Sequence, residues 1–345
     1  MSDSIIKVEH ITKEFKILNH REGVKGMVRD LFSRDYHMLT AVNDVCMEIK
    51  QGEIVGYLGP NGSGKSTTIK MMTGVLEPTS GTIMVNGRIP YKNRAKNAEE
   101  IGVVFGQRTQ LWWALPAMES FKILKEIYRI PNKDFKDNLE YFDALIGAGE
   151  LYGKTVRQMS LGQRILCDIL ASFLHNPGVV FLDEPTIGLD VSIKSKIREL
   201  IKELNKEKGT TVILTTHDMG DVDALCKRII IIDKGSILYD NTIENLRSYF
   251  GAYRTIKLSF QKTSAGVAAQ DTDEVEKLLH TAFPNAKSLN VRGDEDWTEI
   301  LLNEDEITMM QVLNIIQEKK NITDMMLQEI STESVIKKIY EGGVQ

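Results

Sequence analysis

The sequence predicts an α/β domain with a mainly parallel core sheet, followed by a smaller α+β domain. An apolar strand, EIVGYLG at residues 53–59, runs into a glycine-rich loop and then into a helix that starts near Lys65. Apolar runs of strand length follow at 101–105, 179–182 and 211–215, and stretches with helical spacing separate them. Buried strands that alternate with helices are typical of a parallel sheet covered on both faces.

The chain divides into two predicted domains, 1–250 and 251–345. The first also holds flanking antiparallel strands at 5–15 and 41–49, a helical subdomain at about 110–165, and a hairpin of RIIIID and SILYD joined across Lys234 and Gly235. The second has the order strand, helix, strand, strand, helix, strand, helix. That order fits an α+β domain of the ferredoxin-like kind.

Composition restricts the function classes. The 345 residues carry a formal net charge of -5, which argues against a general nucleic-acid binder. Cys46, Cys167 and Cys226 lie far apart in the chain, so neither a disulfide framework nor a zinc site is predicted. The start of the chain has no secretory pattern, and no run reaches the roughly 20 apolar residues that a membrane span needs. We therefore expect a cytoplasmic chain whose membrane role requires a partner.

The glycine-rich loop has the spacing G-x-x-x-x-G-K-[ST] of a phosphate-binding loop, between a buried strand and a helix. Its backbone N–H groups point inward at an anion, and the helix dipole adds partial positive charge. Lys65 is expected to bridge the β- and γ-phosphates of ATP, Ser66 to ligate Mg²⁺, and Thr67 to meet the α-phosphate. The predicted nucleotide-binding residues of this loop are Gly59, Pro60, Asn61, Gly62, Ser63, Gly64, Lys65, Ser66 and Thr67.

Two carboxylates, Asp183 and Glu184, follow the apolar run VVFL. They are expected at the exposed carboxyl end of a buried strand, beside the phosphate loop. Phosphoryl transfer depends mainly on positioning and charge neutralisation. We therefore expect Asp183 to hold Mg²⁺ through water, and Glu184 to orient and deprotonate the attacking water.

A second anion site is predicted at the start of the helix that follows Ser160. The sequence MSLGQ precedes a run of apolar residues at helical spacing, which places Ser160 at a helix N-terminus. One ATP has a single triphosphate, so two such sites in one chain suggest that this helix end caps a nucleotide held by another subunit. Ser160, Gly162 and Gln163 are therefore predicted to act in a dimer.

Together these motifs resemble the nucleotide-binding subunit of an ABC transporter over residues 5–250. The resemblance implies an ABC-type P-loop ATPase fold with ATP and Mg²⁺ as cofactors. It implies that Gln107 senses Mg²⁺ and water, that Asp190 crosses the dimer interface, and that His217 contacts the γ-phosphate. The motifs in family order are the phosphate loop, Gln107, the signature at 160–163, Asp183 with Glu184, the turn Gly188-Leu189-Asp190, and His217.

The resemblance also implies partners. The segments GPNGSGKSTTIK and LDEPTIGLD and the added C-terminal domain are similar to those of exporter-type members whose permeases are separate polypeptides. The chain is accordingly expected to hydrolyse ATP, to pair with a second ATPase subunit that is identical or a close paralogue, and to drive export through a permease. It is expected at the inner face of the cell membrane and without nucleic acid.

Some positions depart from the family pattern or leave alternatives open. Leu161 replaces the first of two glycines after the signature serine, so close backbone approach depends on Gly162. Ile187 replaces a small residue before the Gly-Leu-Asp turn. Family members stack an aromatic residue on adenine upstream of the second strand. Phe15 matches in position, and Tyr36 is the rival because an insertion separates them.

Two segments suggest contact surfaces. The insertion at 18–38 carries an apolar stripe at helical spacing, which fits either packing against its own domain or binding to a membrane or permease. The stripe consists of Val24, Met27, Val28, Leu31 and Phe32. Trp112 and Trp113 lie where family members dock the coupling helix of the permease, although simple burial is the alternative.

Other function classes make different demands on the sequence. Family members that act on ribosomes carry two tandem ATPase domains, and those that act on DNA carry a long inserted coiled coil. This sequence has neither. A P-loop kinase would leave the motif at 160–163 without a role.

Overall fold

The computed structural model describes residues 4–18, 36–106, 109–249, 253–260, 268–284, 286, 289–294, 297–329, 335–336 and 339–340. The chain forms two units, Met1–Thr242 and Ile243–Gln345. The strands of the first unit are β1 (Ser4–Leu18), β2 (Tyr36–Lys50), β3 (Ile54–Leu58), β4 (Ser80–Val85), β5 (Ile101–Phe105), β6 (Val179–Asp183), β7 (Thr211–Thr215), β8 (Arg228–Asp233) and β9 (Ser236–Thr242). Its helices are α1 (Lys65–Met72), α2 (Arg94–Glu100), α3 (Ala117–Ile127), α4 (Asn132–Ile146), α5 (Gly149–Tyr152), α6 (Leu161–Phe173), α7 (Val191–Lys208) and α8 (Met219–Leu225).

Six strands form the central sheet in the order β5-β6-β7-β3-β8-β9, and only the pair β8 and β9 is antiparallel. A second sheet contains the antiparallel strands β2-β1-β4. The predicted mainly parallel core with flanking antiparallel strands is confirmed.

The central strands are apolar on both faces. Isoleucines at 229–232 of β8 are fully buried, and so is every residue of β7. Such strands are stable only when other elements cover both faces of the sheet. Tyr57 of β3 and Phe181 of β6 are among the largest fully buried side chains of this core.

Parallel pairing brings the carboxyl ends of three strands to one edge of the sheet. Thr215 at the end of β7 pairs with Asp183 of β6 and with Tyr57 of β3. The segments that follow these strands are the phosphate loop, Glu184 and His217. Their common position follows from the topology alone.

Helices α3, α4 and α5 lie between β5 and β6 in the chain, within the range of about 110–165 where the sequence predicts a helical subdomain. Phe121 of α3 and Phe142 of α4 are fully buried. The subdomain leads into α6, which begins directly after Ser160.

In the second unit, α9 (Ile243–Tyr249) precedes a four-stranded antiparallel sheet. Its elements are β10 (Tyr253–Phe260), α10 (Ala268–Ala282), β11 (Asn290–Asp294), β12 (Trp297–Asn303), α11 (Met309–Gln317) and β13 (Ile322–Glu329). The sheet order is β11-β12-β10-β13, so two β-α-β units interleave. Ile256, Leu258, Val275, Ile300 and Val312 belong to a separate apolar core.

The division between the units falls earlier than the sequence suggested. We expected a boundary at residue 250, but α9, which precedes that residue, groups with the second unit. Apolar spacing predicts where a helix forms and says nothing about which neighbours bury it, because those neighbours lie elsewhere in the chain.

Parts of the predicted features lie outside the described residues. The apolar stripe of Val24, Met27, Val28, Leu31 and Phe32 does so entirely. Within the residues that are described, no helix is both long enough and apolar enough to cross a bilayer.

A chain ending at Thr242 should fold and bind ATP, because among the described residues the apolar core cluster of the first unit contains none beyond β9. A chain ending at Gly251 retains α9 without the rest of its unit, and should therefore melt at a lower temperature than the shorter chain. Circular dichroism melting and calorimetric ATP titration measure both. Loss of ATP binding in the folded shorter chain would contradict the assignment of the nucleotide site to this unit.

Candidate functional site

The loop between β3 and α1 has the geometry of an anion-binding turn. Gly64 precedes α1 with a φ of 110°, and a Cβ there would lie 2.5 Å from the Ala41 carbonyl oxygen, so only glycine fits. The first N–H groups of a helix have no partner within it, and they carry the positive end of the dipole. The hydroxyl of Ser63 is buried and has no hydrogen-bond partner among the described residues. An unpartnered polar group and free helix amides fit a site that a phosphate chain completes.

The ammonium group of Lys65 lies across this loop. It donates to the carbonyl oxygen of Gly59 at 2.7 Å and to that of Pro60 at 3.1 Å. Burial lowers the pKa of Lys65, and the nearby carboxylates of Glu184 and Asp183 oppose this change. A phosphate would offer the ammonium group an anionic acceptor in place of these neutral carbonyl oxygens.

Thr215 holds the side chain of Asp183 and the backbone of Glu184, the two residues predicted to supply carboxylates. Its hydroxyl donates to Asp183 Oδ1 at 2.5 Å. The N–H of Glu184 donates to both the hydroxyl and the carbonyl oxygen of Thr215, each at 3.0 Å. Glu184 has a φ of 51°, in the left-handed region that non-glycine residues rarely adopt. Strained residues of this kind cluster at functional sites.

His217 lies beside Glu184. The distance from His217 Nδ1 to Glu184 Oε1 is 3.5 Å. The His217 side chain is 62% exposed and that of Glu184 24%, so both can reach a ligand from the solvent side. The structure thus brings together a carboxylate and an imidazole that are well separated in the sequence.

A cavity of about 650 Å³ lies next to the start of α1. Ser66 and Asp183, two of the predicted Mg²⁺ ligands, both line it. Hydroxyl and carboxylate oxygens are the donors that Mg²⁺ prefers, so the donor set fits this ion. Gln107, the third predicted ligand, lies outside the described residues.

Asp168 of α6 lines the same cavity and was missed by the sequence analysis. Its carboxylate accepts the hydroxyl of Thr109 at 2.9 Å and the N–H of Gln110 at 3.0 Å. Burial raises the pKa of Asp168 to about 6, and the hydrogen bonds from Gln110 and Thr109 counteract part of this effect. The available signal was a carboxylate within an apolar helix, because such a group requires buried partners.

Ser160 caps α6, as the sequence predicts for a helix N-terminus. Its hydroxyl accepts the N–H of Gln163, and the Gln163 side chain accepts the N–H of Ser160, both at 3.3 Å. Asp190 caps α7 in a similar way by accepting the N–H of Ile193 at 3.0 Å. A Cβ on Gly162 would lie 3.0 Å from the Ile193 side chain, so the two helix ends are in contact.

This contact places Ser160 and Asp190, both exposed, at neighbouring helix ends. The side chains of Leu161 and Ile187, which depart from the family pattern, are half-buried. The residues predicted to reach a second subunit therefore lie on one region of the surface.

The register of β1 and β2 places Phe15 and Tyr36, the two candidates for stacking on adenine, on opposite faces of the sheet. Lys13 pairs with Val42, which lies against the phosphate loop. Phe15 is two residues from Lys13 and shares its face of the sheet, with the Lys13 ammonium 5.4 Å from the Phe15 ring. Tyr36 lies on the opposite face, where the Lys16 ammonium is 5.2 Å from its ring. Only Phe15 shares a face with the residue beside the phosphate loop.

Trp112 and Trp113 are 40% and 52% exposed. The guanidinium carbon of Arg164 lies 5.0 Å from the centre of the Trp113 ring, a cation–π distance. Arg164 directly follows the 160–163 motif on α6. An exposed aromatic surface is therefore in contact with the capped helix.

Comparison with known proteins agrees with this geometry. A family model described as "ABC transporter" matches residues 42–187. The chain is 34% identical to the ABC transporter ATP-binding protein NatA of Bacillus subtilis (strain 168), over 61% of this chain and 85% of that protein. It is 33% identical to the linearmycin resistance ATP-binding protein LnrL of the same organism, over 75% of this chain and 81% of that protein.

Two further similarities extend the comparison. The methionine import ATP-binding protein MetN of Geobacillus kaustophilus (strain HTA426) is 30% identical, over 72% of each chain. A dimeric ATP-binding cassette in a post-hydrolysis state, bound to ADP and phosphate, has a TM-score of 0.56 at 26% identity, covering 69% of this chain and 98% of that chain.

Replacement Asp168→Asn should change how stability depends on pH. The pKa of Asp168 is raised from 3.8 to about 6 in the folded chain, so the folded state binds this proton more tightly than the unfolded state. Its contribution to stability is most favourable below pH 3.8 and declines as the pH rises through about 6. The melting temperature of Asp168→Asn relative to the natural chain should therefore rise between pH 4 and pH 7.

Asp218→Asn is the matched control with the opposite sign. The hydrogen bond from Lys194 lowers the pKa of Asp218, so its carboxylate stabilises the folded chain at neutral pH and loses that effect in acid. This variant should lose melting temperature relative to the natural chain as the pH rises. Parallel curves for the two variants would contradict the assignment.

Proposed function

This chain belongs to the family of ABC transporter ATP-binding proteins and is an ATPase, and on that basis we propose that it energises a separate permease through ATP-driven closure of two ATPase subunits. The observation that carries the proposal is the convergence of Lys65, Asp183, Glu184 and His217 at one edge of the parallel sheet. The four groups come from three segments of the chain, since Asp183 and Glu184 are adjacent, and together they match what phosphoryl transfer requires.

Each residue has a proposed role in hydrolysis. Lys65 and the amides at the start of α1 bind the β- and γ-phosphates. Ser66 and Asp183 would hold Mg²⁺, together with Gln107. Mg²⁺ bound there would neutralise the charge that develops on the transferred phosphoryl group. Glu184 accepts a proton from the attacking water, and His217, at 3.5 Å from Glu184, contacts the γ-phosphate. Phe15 stacks on adenine.

The second subunit supplies the other half of each site. Ser160, Gly162, Gln163 and Asp190 lie at adjoining helix ends, and two of these residues are exposed. A phosphate held by Lys65 of one subunit would meet this surface of the other. The similarity to a dimeric cassette supports the arrangement. In this proposal the first unit, Met1–Thr242, is the ATP-binding domain, and the C-terminal unit is accessory.

A separate permease is supported by the names of the relatives. The proteins that match over most of their own length are themselves called ATP-binding proteins. The exposed tryptophans that contact α6 through Arg164 provide a surface on which a permease segment can act on the helix that caps ATP. Binding there holds the chain at the membrane surface.

We infer export as the direction. LnrL is named for linearmycin resistance, and outward transport is a direct means of resistance to a compound. MetN, which is named for import, is less similar at 30% identity.

Glu184→Gln should retain ATP binding and lose turnover, because the amide keeps the shape of the side chain and removes the proton acceptor. Unhydrolysed ATP then remains in the interface and holds two subunits together. ATP, and not ADP, should shift this variant from monomer to dimer in size-exclusion chromatography.

Adding Ser160→Arg to Glu184→Gln should abolish the ATP-induced dimer and leave ATP binding by the monomer intact, since the arginine obstructs the capping helix end. The natural chain and Ser160→Ala are the matched controls for bulk at this position. A double variant that still dimerises with ATP would show that the signature does not act across subunits.

The full chain purified from membranes in mild detergent should carry a multi-span membrane protein, identified by mass spectrometry. Alanine at both Trp112 and Trp113 should reduce that recovery several-fold, because aromatic anchors contribute most of the binding energy at such surfaces. ATP affinity should stay unchanged. Equal recovery with the natural chain would remove the tryptophans from the permease interface.

A further inference from the structure

Asp221 of α8 has a completely buried carboxylate that joins three segments of the chain. One oxygen, Oδ2, accepts the hydroxyl of Thr186 and, at 3.0 Å, that of Thr216. The other, Oδ1, accepts Nε of Arg198 at 2.7 Å, and a terminal guanidinium nitrogen lies 2.6 Å from it. The side chain of Asp221 is 0% exposed.

The two threonines flank the proposed reacting groups. Thr186 follows Glu184 by two residues, and Thr216 directly precedes His217. Both hydroxyls converge on the same carboxylate oxygen. The segment that carries the proposed base and the segment that carries the proposed γ-phosphate contact are therefore tied to one atom.

Arg198 connects the other oxygen of this carboxylate, Oδ1, to α7, the helix that Asp190 caps. A buried carboxylate without a partner is strongly unfavourable, so the guanidinium group compensates the charge. Asp218, the residue directly after His217, forms an ion pair with Lys194 of the same helix. The two residues next to His217 in the chain are thus both linked to α7, Thr216 through Asp221 and Asp218 through Lys194.

We propose that Asp221 is a positioning residue of the ATPase reaction, which sets the placement of Glu184 and His217 relative to each other through Thr186 and Thr216. The inference rests on the proposed roles of Glu184 and His217. A carboxylate suits this task better than a neutral side chain, because hydrogen bonds to a charged acceptor are shorter and stronger.

The position matters because hydrolysis depends on alignment. A displacement of about 1 Å in a reacting group can cost on the order of 100-fold in rate. A loss of alignment acts on the chemical step, whereas the phosphate loop that binds ATP lies on other segments. The consequence is a fall in kcat with little change in ATP affinity.

Thr186→Val and Thr216→Val test the proposal, since valine keeps the shape of threonine and removes the hydroxyl. Thr186 is the cleaner probe, because the Thr216 hydroxyl also accepts the N–H of Asp218 at 3.0 Å. Thr210→Val is the matched control. Thr210 is equally buried, at 2%, and its hydroxyl donates to the Pro177 carbonyl oxygen at 3.1 Å, next to the opposite end of β7 from His217.

Single-turnover hydrolysis by the full chain, ATP affinity by calorimetry, and melting temperature are measured for each variant. Thr186→Val and Thr216→Val should lose at least about tenfold in the rate of the chemical step. ATP affinity should stay unchanged, and the melting temperature should fall no further than in Thr210→Val. The control should hydrolyse ATP at the natural rate.

Asp221→Asn, if it folds, should hydrolyse ATP more slowly than the natural chain. Adding Thr186→Val to Asp221→Asn should reduce the rate by a smaller factor than Thr186→Val does alone, because both changes act on the hydrogen bond between Thr186 and Asp221. The proposal is overturned if the two threonine variants hydrolyse ATP as fast as Thr210→Val. Glu184→Gln in the same assay distinguishes a failure of the proposed function from a failure of the role proposed for Asp221. Rapid hydrolysis by Glu184→Gln would reject the proposed function itself, while its loss together with unaffected threonine variants would reject only the role of Asp221.

Discussion

Thr215 pairs with Asp183 on one side and with Tyr57 on the other, and this parallel register is the constraint on which the site depends. Parallel strands require long crossover connections, so the chain leaves and re-enters the sheet between β3, β6 and β7. The crossovers carry the helical subdomain and α7, while the strand ends bring phosphate loop, carboxylates and imidazole together. A shift of one residue in this register would move Asp183 to the other face of the sheet.

Three partly or fully buried charged side chains, Lys65, Asp168 and Asp221, lie near this edge of the central sheet, and each has hydrogen-bond partners. Lys65 donates to two loop carbonyls, Asp168 accepts from the segment after β5, and Asp221 accepts from two threonines and an arginine. Electrostatic interactions are stronger in a buried, low-dielectric setting, and unpartnered groups are costly there. Burial therefore strengthens these hydrogen bonds, and the strengthened bonds hold the site segments in place. Stability and alignment of the site therefore have a common physical origin.

The exposed groups proposed to contact partners lie together at the N-terminal ends of α6 and α7. Gly162 permits the close approach of Ile193, and Arg164 extends the same helix to the exposed Trp113 ring. A force applied at the tryptophans would reach Ser160 along one rigid helix. Under the proposed function, this arrangement connects the surface for a membrane partner with the surface for a second ATPase subunit without passing through the core.

The sequence by itself determined the features that local physics controls. The phosphate loop, the carboxylates after β6 and the cap at Ser160 each depend on hydrogen bonds and helix geometry within a few residues, so their spacing is legible in the chain. Only the tertiary structure decided the partners of Asp168 and Asp221, the face on which Phe15 lies, and the assignment of α9 to the second unit. Those outcomes depend on strand register and on contacts between residues far apart in the chain, such as Thr109 with Asp168 and Thr186 with Asp221, which no local pattern encodes.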